Sequence, residues 1–163
     1  MTDQFEFFSC VAEDCDAQAL MQVLHDSVHG VANSHYAPSQ LKAWSPSAMD
    51  ASTAQKRLAG QQVFLAEDNE GLCAFMTLRN DSHLDFAFAH PRVIGKGVAS
   101  AIYEQLLEYA RRSGHRTLTS DISLAARTFF EKRGWQFLQE QIVERHGVAL
   151  TNFKARLEIT DKA

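Results

Sequence analysis

Two glycines, Gly95 and Gly97, lie in a short segment, Ile94–Ala99, whose backbone could bind an anion. The residues before it, 84–89, are strand-like, and those after it, 100–112, are helix-like. A glycine-rich turn from a strand into a helix leaves backbone N–H groups without partners at the positive end of the helix dipole. Such a turn binds phosphate or pyrophosphate without needing a charged side chain. The segment therefore predicts a phosphate-binding loop.

A histidine pair, His25 and His29, has the spacing that places two imidazoles on one face of a helix, as in zinc hydrolases. Asp26 stands between them, where such enzymes use a longer Glu as a base, and His35 is a conceivable third ligand. However, no acidic ligand follows at a recognisable spacing. We therefore expect surface or pocket-lining histidines and no metal.

The elements that must position these residues follow from hydrophobic periodicity and turn residues. The pattern predicts strands at 5–8, 62–67, 72–78, 84–89, 117–122, 135–144 and 148–159, helices at 16–29, 47–59, 98–112 and 124–133, and a polar stretch with aromatic residues at 33–46. Antiparallel strands come first and two β-α-β steps follow. We therefore expect an α/β (α+β) fold with a mixed, mostly antiparallel central sheet of about six or seven strands and helices on both faces.

The composition is that of an ordinary globular protein. The 163 residues, 45% hydrophobic and 22% charged, suit one domain. No apolar run approaches the ~20 residues that span a bilayer, and the N-terminus lacks the features of a signal peptide, so we expect a cytoplasmic protein. A net charge of −4 argues against a nucleic-acid partner. We expect free thiols at Cys10, Cys15 and Cys73, because their number is odd and no C-x-x-C spacing occurs.

Two motifs make the chain resemble the GNAT superfamily of acetyl-CoA-dependent N-acetyltransferases. The first runs from His90-Pro91 to the glycine loop, and the second is Ala-Arg-Thr-Phe-Phe-Glu-Lys-Arg-Gly-Trp at 126–135. The family's cofactor loop reads Gln/Arg-x-x-Gly-x-Gly/Ala, and its later helix reads Ala-x-x-Phe-Tyr-Glu-Lys-x-Gly-Phe. Segments 36–44 and 145–153 resemble one bacterial subgroup of uncertain substrate. The resemblance implies one GNAT-like domain over residues 1–163.

The resemblance also implies where acetyl-CoA binds. Amides of the loop would hold the pyrophosphate, the backbone of the preceding strand would pair with the pantetheine arm, and an N–H near Phe88 or Ala89 would face the thioester carbonyl. Ser123 falls where the family often has an Asn that contacts the cofactor arm. The cofactor positions implied in this way are Ala87, Phe88, Ala89, Ile94, Gly95, Lys96, Gly97, Val98, Ala99, Ser123 and Phe130.

Two of these positions depart from the family pattern. Ile94 stands where Gln or Arg is usual, but the amide nest does not need that side chain. Phe130 stands where a Tyr commonly protonates the departing thiolate. Because a thiol has a pKa near ~8.5, we expect this loss to slow the step and not to forbid it. Tyr103, Tyr36 or a water could serve instead.

Acetyl transfer also needs a base, because an alkylamine with a pKa near ~10 arrives mostly protonated. We expect Asp85 to be that base or to anchor the acceptor amine, with His83 as its competitor. Both could equally be solvated residues at the start of a strand. Strand alternation predicts two faces. One face carries Leu84, Phe86 and Phe88, and the other carries His83, Asp85, Ala87 and Ala89.

The acceptor pocket is expected near Tyr36 and Trp44, although Trp44 could instead plug the core. The resemblance implies transfer from acetyl-CoA to a primary amine by direct attack in a ternary complex. Two alternatives stay open: a non-catalytic acetyl-CoA-binding module, which Phe130 would suit, and a metal-dependent hydrolase that uses the histidine pair. The expected partners are acetyl-CoA and a small amine or a peptide or protein amine, without nucleic acid or membrane, in a monomer or homodimer.

Overall fold

The computed structural model describes residues 4–160. Its helices are α1 (Ala17–Gly30), α2 (Pro38–Trp44), α3 (Ala51–Leu58), α4 (Val98–Arg112) and α5 (Arg127–Glu131). Its strands are β1 (Glu6–Val11), β2 (Gln62–Asp68), β3 (Gly71–Leu78), β4 (His83–Ala89), β5 (Thr117–Ser123), β6 (Gln136–Arg145) and β7 (Val148–Glu158). Across residues 4–160, no helix has the length and apolarity that a membrane crossing requires.

The strands form a seven-stranded sheet in the order β1-β2-β3-β4-β5-β7-β6. The pairing of β4 with β5 is parallel, and the other neighbours pair antiparallel. One face packs on α1 and α3 through a cluster that includes Leu20, Leu58 and Phe75, and the other packs on α4 through a cluster around Leu106 and Leu118. The expected mixed, mostly antiparallel sheet with helices on both faces is confirmed.

The sheet opens between its two parallel strands. β4 and β5 pair at His83 with Thr119 and at Leu84 with Ser120, and the register ends there. Beyond this point β4 stays paired with β3, as far as Ala89 with Ala74, while its other edge has no partner strand in the described register. The middle of the sheet therefore offers an open strand edge directly before the glycine loop.

A β-bulge in β4 makes the predicted division of its faces wrong. Thr77 pairs with Phe86 but the next residue of β3 pairs with Leu84, so Asp85 is the extra residue. A bulge of this kind re-aims the side chains that follow it. As a result Leu84 packs with the α4 cluster, whereas Phe86 packs with the α1–α3 cluster.

The faces of β4 are therefore distributed differently from the alternation. Ala87 and Ala89 pack on the α4 side, and Phe88 packs on the α1–α3 side. His83 and Asp85 do share a wall, as predicted, but that wall also carries Phe86 and Phe88.

Two further expectations change. Cys10 and Cys15 form a disulfide, with their Cα atoms 6.3 Å apart, so the expectation of free thiols is wrong for these two. Cys73 is a free cysteine, as expected, and it is buried. The polar stretch after α1 contains a helix, α2, that was not predicted. It starts at Pro38, and the Gln40 side chain accepts a hydrogen bond from the Ala37 N–H at 2.8 Å.

Candidate active site

The glycine loop has the geometry that its sequence predicts. Gly95 and Gly97 both have φ of +81°, in the left-handed region that favours glycine. Gly97 is the N-cap of α4, and no side chain within residues 4–160 caps this helix start. The N–H groups of the first turn, from Val98 onward, are therefore available to an anion.

The loop is held in place from two sides. Arg92, just before it, donates to both carboxylate oxygens of Asp68 at 2.9 and 3.0 Å. On the other side, Gly30 at the end of α1 lies so close that an added Cβ would be 2.3 Å from Cγ of Pro91. Only glycine fits this contact, so α1, the β2–β3 hairpin and the loop fix one another's positions.

A largely apolar cavity of about 140 Å³ extends from the loop to the gap between β4 and β5. Its lining includes seven of the residues that the resemblance assigned to the cofactor: Ala87, Phe88 and Ala89 of β4, Ser123 of β5, and Ile94, Ala99 and Phe130. Gly95, Lys96, Gly97 and Val98 lie in the loop at its end. The structure thus brings the predicted cofactor residues together.

The backbone of β4 offers donors to this cavity. The N–H of Phe86 donates to Oγ1 of Thr77, and the N–H of His90 donates to the carbonyl of Cys73, so both face β3. Because successive residues of a strand point their N–H groups to opposite sides, those of Ala87 and Ala89 face the open gap.

The hydroxyls considered as proton donors are already engaged. The Tyr36 hydroxyl donates to the carbonyl of Thr151 at 2.6 Å and accepts from the N–H of Leu124 at 3.0 Å. The Tyr103 hydroxyl is buried in the core around α4 and accepts from Trp135 Nε1 at 2.8 Å. Phe130 packs edge-on against Trp135 and lines the cavity with an apolar ring.

A second, more polar cavity of about 210 Å³ adjoins the first. Trp44, Phe88 and Ser123 line both, so the two cavities meet at these three side chains. Trp44 also packs edge-on against Tyr36 and Phe88, with ring centroids 5.4 and 6.1 Å apart. Trp44 therefore lines both cavities and also packs against the cluster of α1 and α2 side chains that includes Val28 and Leu41.

Asp85 and His83 lie on the wall of the second cavity. Asp85 is bound by Arg57 through both oxygens, at 2.5 and 3.0 Å, and by Gln61 Nε2 at 2.7 Å. Burial raises the pKa of the Asp85 carboxyl, but the hydrogen bonds from Arg57 and Gln61 outweigh burial, and the net pKa is below its ordinary value. A carboxylate with a lowered pKa is a weak base.

His83 has the freer geometry of the two. Its Nδ1 lies 2.8 Å from Oγ1 of Thr119, and its Nε2 lies 3.7 Å from Oδ2 of Asp121. When Nδ1–H donates to Thr119, Nε2 carries the lone pair and can accept a proton. Asp121 is positioned in turn by Gln141, whose Nε2 donates to Oδ1 at 2.8 Å.

Both histidines of the pair on α1 make hydrogen bonds to Ser45. His25 Nδ1 lies 2.6 Å from Oγ of Ser45, and His29 Nε2 lies 2.7 Å from the carbonyl of Ser45. The pair thus ties α1 to the end of α2. Within residues 4–160, no group of three or more His, Cys, Asp or Glu side chains is arranged to hold a metal ion.

Several polar residues of the second cavity escaped the sequence reasoning: Arg57, Asp121, Gln141, Arg145, Thr151 and Asn152. Arg57 reaches Asp85 from 28 positions away, and Gln141 reaches Asp121 from 20. Neither pairing leaves a local spacing signal. The alternation of Gln141, Val143 and Arg145 along β6 is the one local signal that could have placed these three side chains on a shared face.

Comparison with known proteins agrees with this geometry. Residues 32–157 match the family model described as the acetyltransferase (GNAT) domain. The chain is 34% identical over 141 residues to the uncharacterized N-acetyltransferase YafP of Escherichia coli K12, covering 86% of this chain and 89% of that protein.

Solved structures share the fold. A GCN5-related N-acetyltransferase from Rhodopseudomonas palustris superposes with a TM-score of 0.83 at 26% identity, covering 97% of this chain and 96% of that one. The PaiA N-acetyltransferase of Thermoplasma acidophilum, solved with coenzyme A, gives 0.73 at 12% identity over 95% and 99% of the two chains. The yncA protein of Salmonella typhimurium, solved with acetyl-CoA, gives 0.68 at 18% over 98% and 96%. The chain therefore belongs to the GNAT family of acetyltransferases, and acetyl-CoA is its acyl donor.

Proposed function

We propose that the protein transfers the acetyl group of acetyl-CoA directly to a primary amine bound in the second cavity. The observation that carries this proposal is the meeting of the apolar and polar cavities at Trp44, Phe88 and Ser123. A thioester entering from the glycine loop and an amine entering from the polar side would reach each other there. Direct attack then requires no covalent enzyme intermediate.

Acetyl-CoA supplies the acetyl group as a thioester. The uncapped first turn of α4 and the left-handed glycines suit its pyrophosphate, and the apolar cavity suits its pantetheine arm. The N–H groups of Ala87 and Ala89 face the gap, where they can donate to a carbonyl oxygen that gains negative charge. These features are backbone-built, which explains why Ile94 can replace the usual polar residue.

Proton removal from the amine is assigned to His83, acting through water in the polar cavity. Its Nε2 is free when Nδ1–H is held by Thr119, and Asp121 stands beside it to stabilise the imidazolium. Asp85, with its lowered pKa, is assigned to the other expected role, a fixed negative charge near the acceptor amine.

Proton donation to the departing sulfur is assigned to water or to no group at all. The Tyr36 hydroxyl proton is committed to the carbonyl of Thr151, and Tyr103 is enclosed in the core. Phe130 has no proton to give. Because a thiolate is a tolerable leaving group, coenzyme A can depart without a proton donor. Without that donor the step is slower than it is with a tyrosine acid.

Two measurements test the proposed function. Thermal shift with acetyl-CoA and coenzyme A checks the cofactor site, because at 100 times Kd a ligand adds about 2.7 kcal/mol of stability. Release of free coenzyme A is then followed with a panel of amines. Turnover with an amine supports the proposal. Tight binding without release on any amine would contradict it and would favour the non-catalytic acetyl-CoA-binding module.

A further inference from the structure

The charged side chains that line the polar cavity differ in their partners. Arg57 is bound by Asp85, and Asp121 is bound by Gln141 and lies beside His83. Arg145 also lines this cavity, yet its guanidinium has no carboxylate partner among residues 4–160. The guanidinium of Arg145, an exposed side chain, is therefore available to an anion that enters this cavity.

Arg145 lies far from the point where the two cavities meet. Ser123 on β5 pairs with Asn152 on β7, and Asn152 pairs in turn with Gln141 on β6. Arg145 lies four residues beyond Gln141 on the same strand and faces the same side. Four residues of a strand span about 13 Å, so Arg145 sits at the far end of the cavity from the reacting groups.

The segment that carries Arg145 is fixed to the rest of the acceptor region. The neighbouring His146 makes a 2.8 Å hydrogen bond from Nδ1 to the carbonyl of Ala43 at the end of α2. On the other side of the turn, Gln40 donates to the carbonyl of Ala149 at 3.0 Å. The start of the Arg145 side chain is thus held at the cavity mouth instead of on a free hairpin tip.

We propose that the acceptor carries an oxyanion, a carboxylate or phosphonate group, at the end distant from its reactive amine, and that Arg145 binds it. Arginine presents a planar fork of N–H donors that matches such groups. This inference rests on the proposed function and narrows its acceptor to amines with a distal negative charge. Simple alkylamines and polyamines would leave Arg145 unpaired.

The test is a homologous series of ω-amino acids, from glycine to 6-aminohexanoate, each compared with the alkylamine of the same chain length. We expect kcat/KM to be higher for the amino acid than for its matched alkylamine, and to rise to an optimum as the chain lengthens. Comparison of β-alanine with 2-aminoethylphosphonate shows which oxyanion is preferred. In Arg145→Gln, kcat/KM for the anionic amines should fall about tenfold or more, with the alkylamines unchanged.

Arg112→Gln is the matched control, because Arg112 is an exposed arginine on α4 that pairs with Glu108 and does not line either cavity. We expect it to keep the wild-type preference. Equal kcat/KM for amino acids and alkylamines, or equal losses for both in Arg145→Gln, would overturn the inference while leaving the proposed function intact. If no amine of any class releases coenzyme A although acetyl-CoA binds, the proposed function fails, and this inference fails with it.

Discussion

Arg57 donates hydrogen bonds to both carboxylate oxygens of Asp85, with Nη1 2.5 Å from Oδ2 and Nη2 3.0 Å from Oδ1. The guanidinium also lies over the ring of Phe86, 4.7 Å from its centroid. α3 is thereby fastened to the bulge of β4, and the carboxylate is fixed in the wall of the polar cavity. The hydrogen bonds from Arg57 and Gln61 outweigh the effect of burial and lower the pKa of Asp85. We therefore expect the Asp85 carboxyl to be ionised at neutral pH.

The first prediction separates Asp85 from His83 by the pH dependence of turnover. Protonation removes the lone pair that an imidazole base needs, whereas a carboxylate with a lowered pKa keeps its charge at mildly acidic pH. We expect Asp85→Asn to lower kcat about tenfold with cofactor affinity kept, and to retain the fall in rate on the acid side. His83→Gln should lose that acid limb. Profiles of kcat with one amine in all three proteins check this, because the amine's own titration is then common to them.

The opposite result has an equally clear meaning. An acid limb that vanishes in Asp85→Asn and persists in His83→Gln would make Asp85 the base.

The lowered pKa of Asp85 in the folded state also fixes the sign of its effect on stability. The contribution of Asp85 is fully present above its unfolded pKa near ~4 and is lost as the pH falls through the folded value. Acid denaturation of Asp85→Asn should accordingly depend less on pH below about 4 than that of the wild type.

Elements whose determinants are local could be predicted from the sequence. The predicted helix at 98–112 has the bounds of α4, because glycines precede and follow a continuous helical periodicity. Features that depend on contacts with another segment of the chain could not be predicted. The bulge at Asp85 depends on the register of β3, and α2 depends on bonds such as that of Gln40 to the carbonyl of Ala149. The partner of Gln40 lies 109 residues away, and the bulge depends on how two strands pair, so a local sequence pattern indicates neither.

The second prediction concerns the hydroxyl of Tyr36, which joins two segments of the acceptor region. It donates to the carbonyl of Thr151 and accepts from the N–H of Leu124, so removing it leaves two polar backbone groups without that partner. We expect Tyr36→Phe to lower the free energy of unfolding by about 1–3 kcal/mol and to raise KM for the acceptor. Urea unfolding and steady-state kinetics measure the two effects.

Tyr103→Phe is the comparison for Tyr36→Phe, because Tyr103 is also a buried tyrosine whose hydroxyl accepts a hydrogen bond, here from Trp135. It should lower stability by a similar amount and leave kcat and both KM values unchanged. A large fall in kcat in Tyr103→Phe would show instead that this hydroxyl reaches the departing thiolate.

The third prediction concerns the cysteines. The Cys73 thiol is buried, and burial raises its pKa to about 11, so it should not react with a thiol reagent in the folded protein. Protein purified without reductant should show one reactive thiol after denaturation, from Cys73, and three after denaturation with reductant. Three thiols without reductant would contradict the disulfide between Cys10 and Cys15. Because the bridge closes a short loop, its reduction should lower stability by about 2 kcal/mol.

The fourth prediction uses two glycines with nearly the same backbone conformation. Gly97 and Gly114 have φ of +81° and +82°, and an added Cβ would meet nothing within 4 Å at either position. Alanine at each should therefore lower stability by a similar amount, about 1–2 kcal/mol, through left-handed strain alone.

Gly97 borders the N–H groups at the start of α4, whereas Gly114 follows the end of the same helix. We expect Gly97→Ala to lose affinity for acetyl-CoA at least about tenfold by calorimetry, because even a small relaxation of the loop re-aims those donors. Gly114→Ala should bind as the wild type does, and wild-type affinity in both variants would remove the glycine loop from the cofactor site.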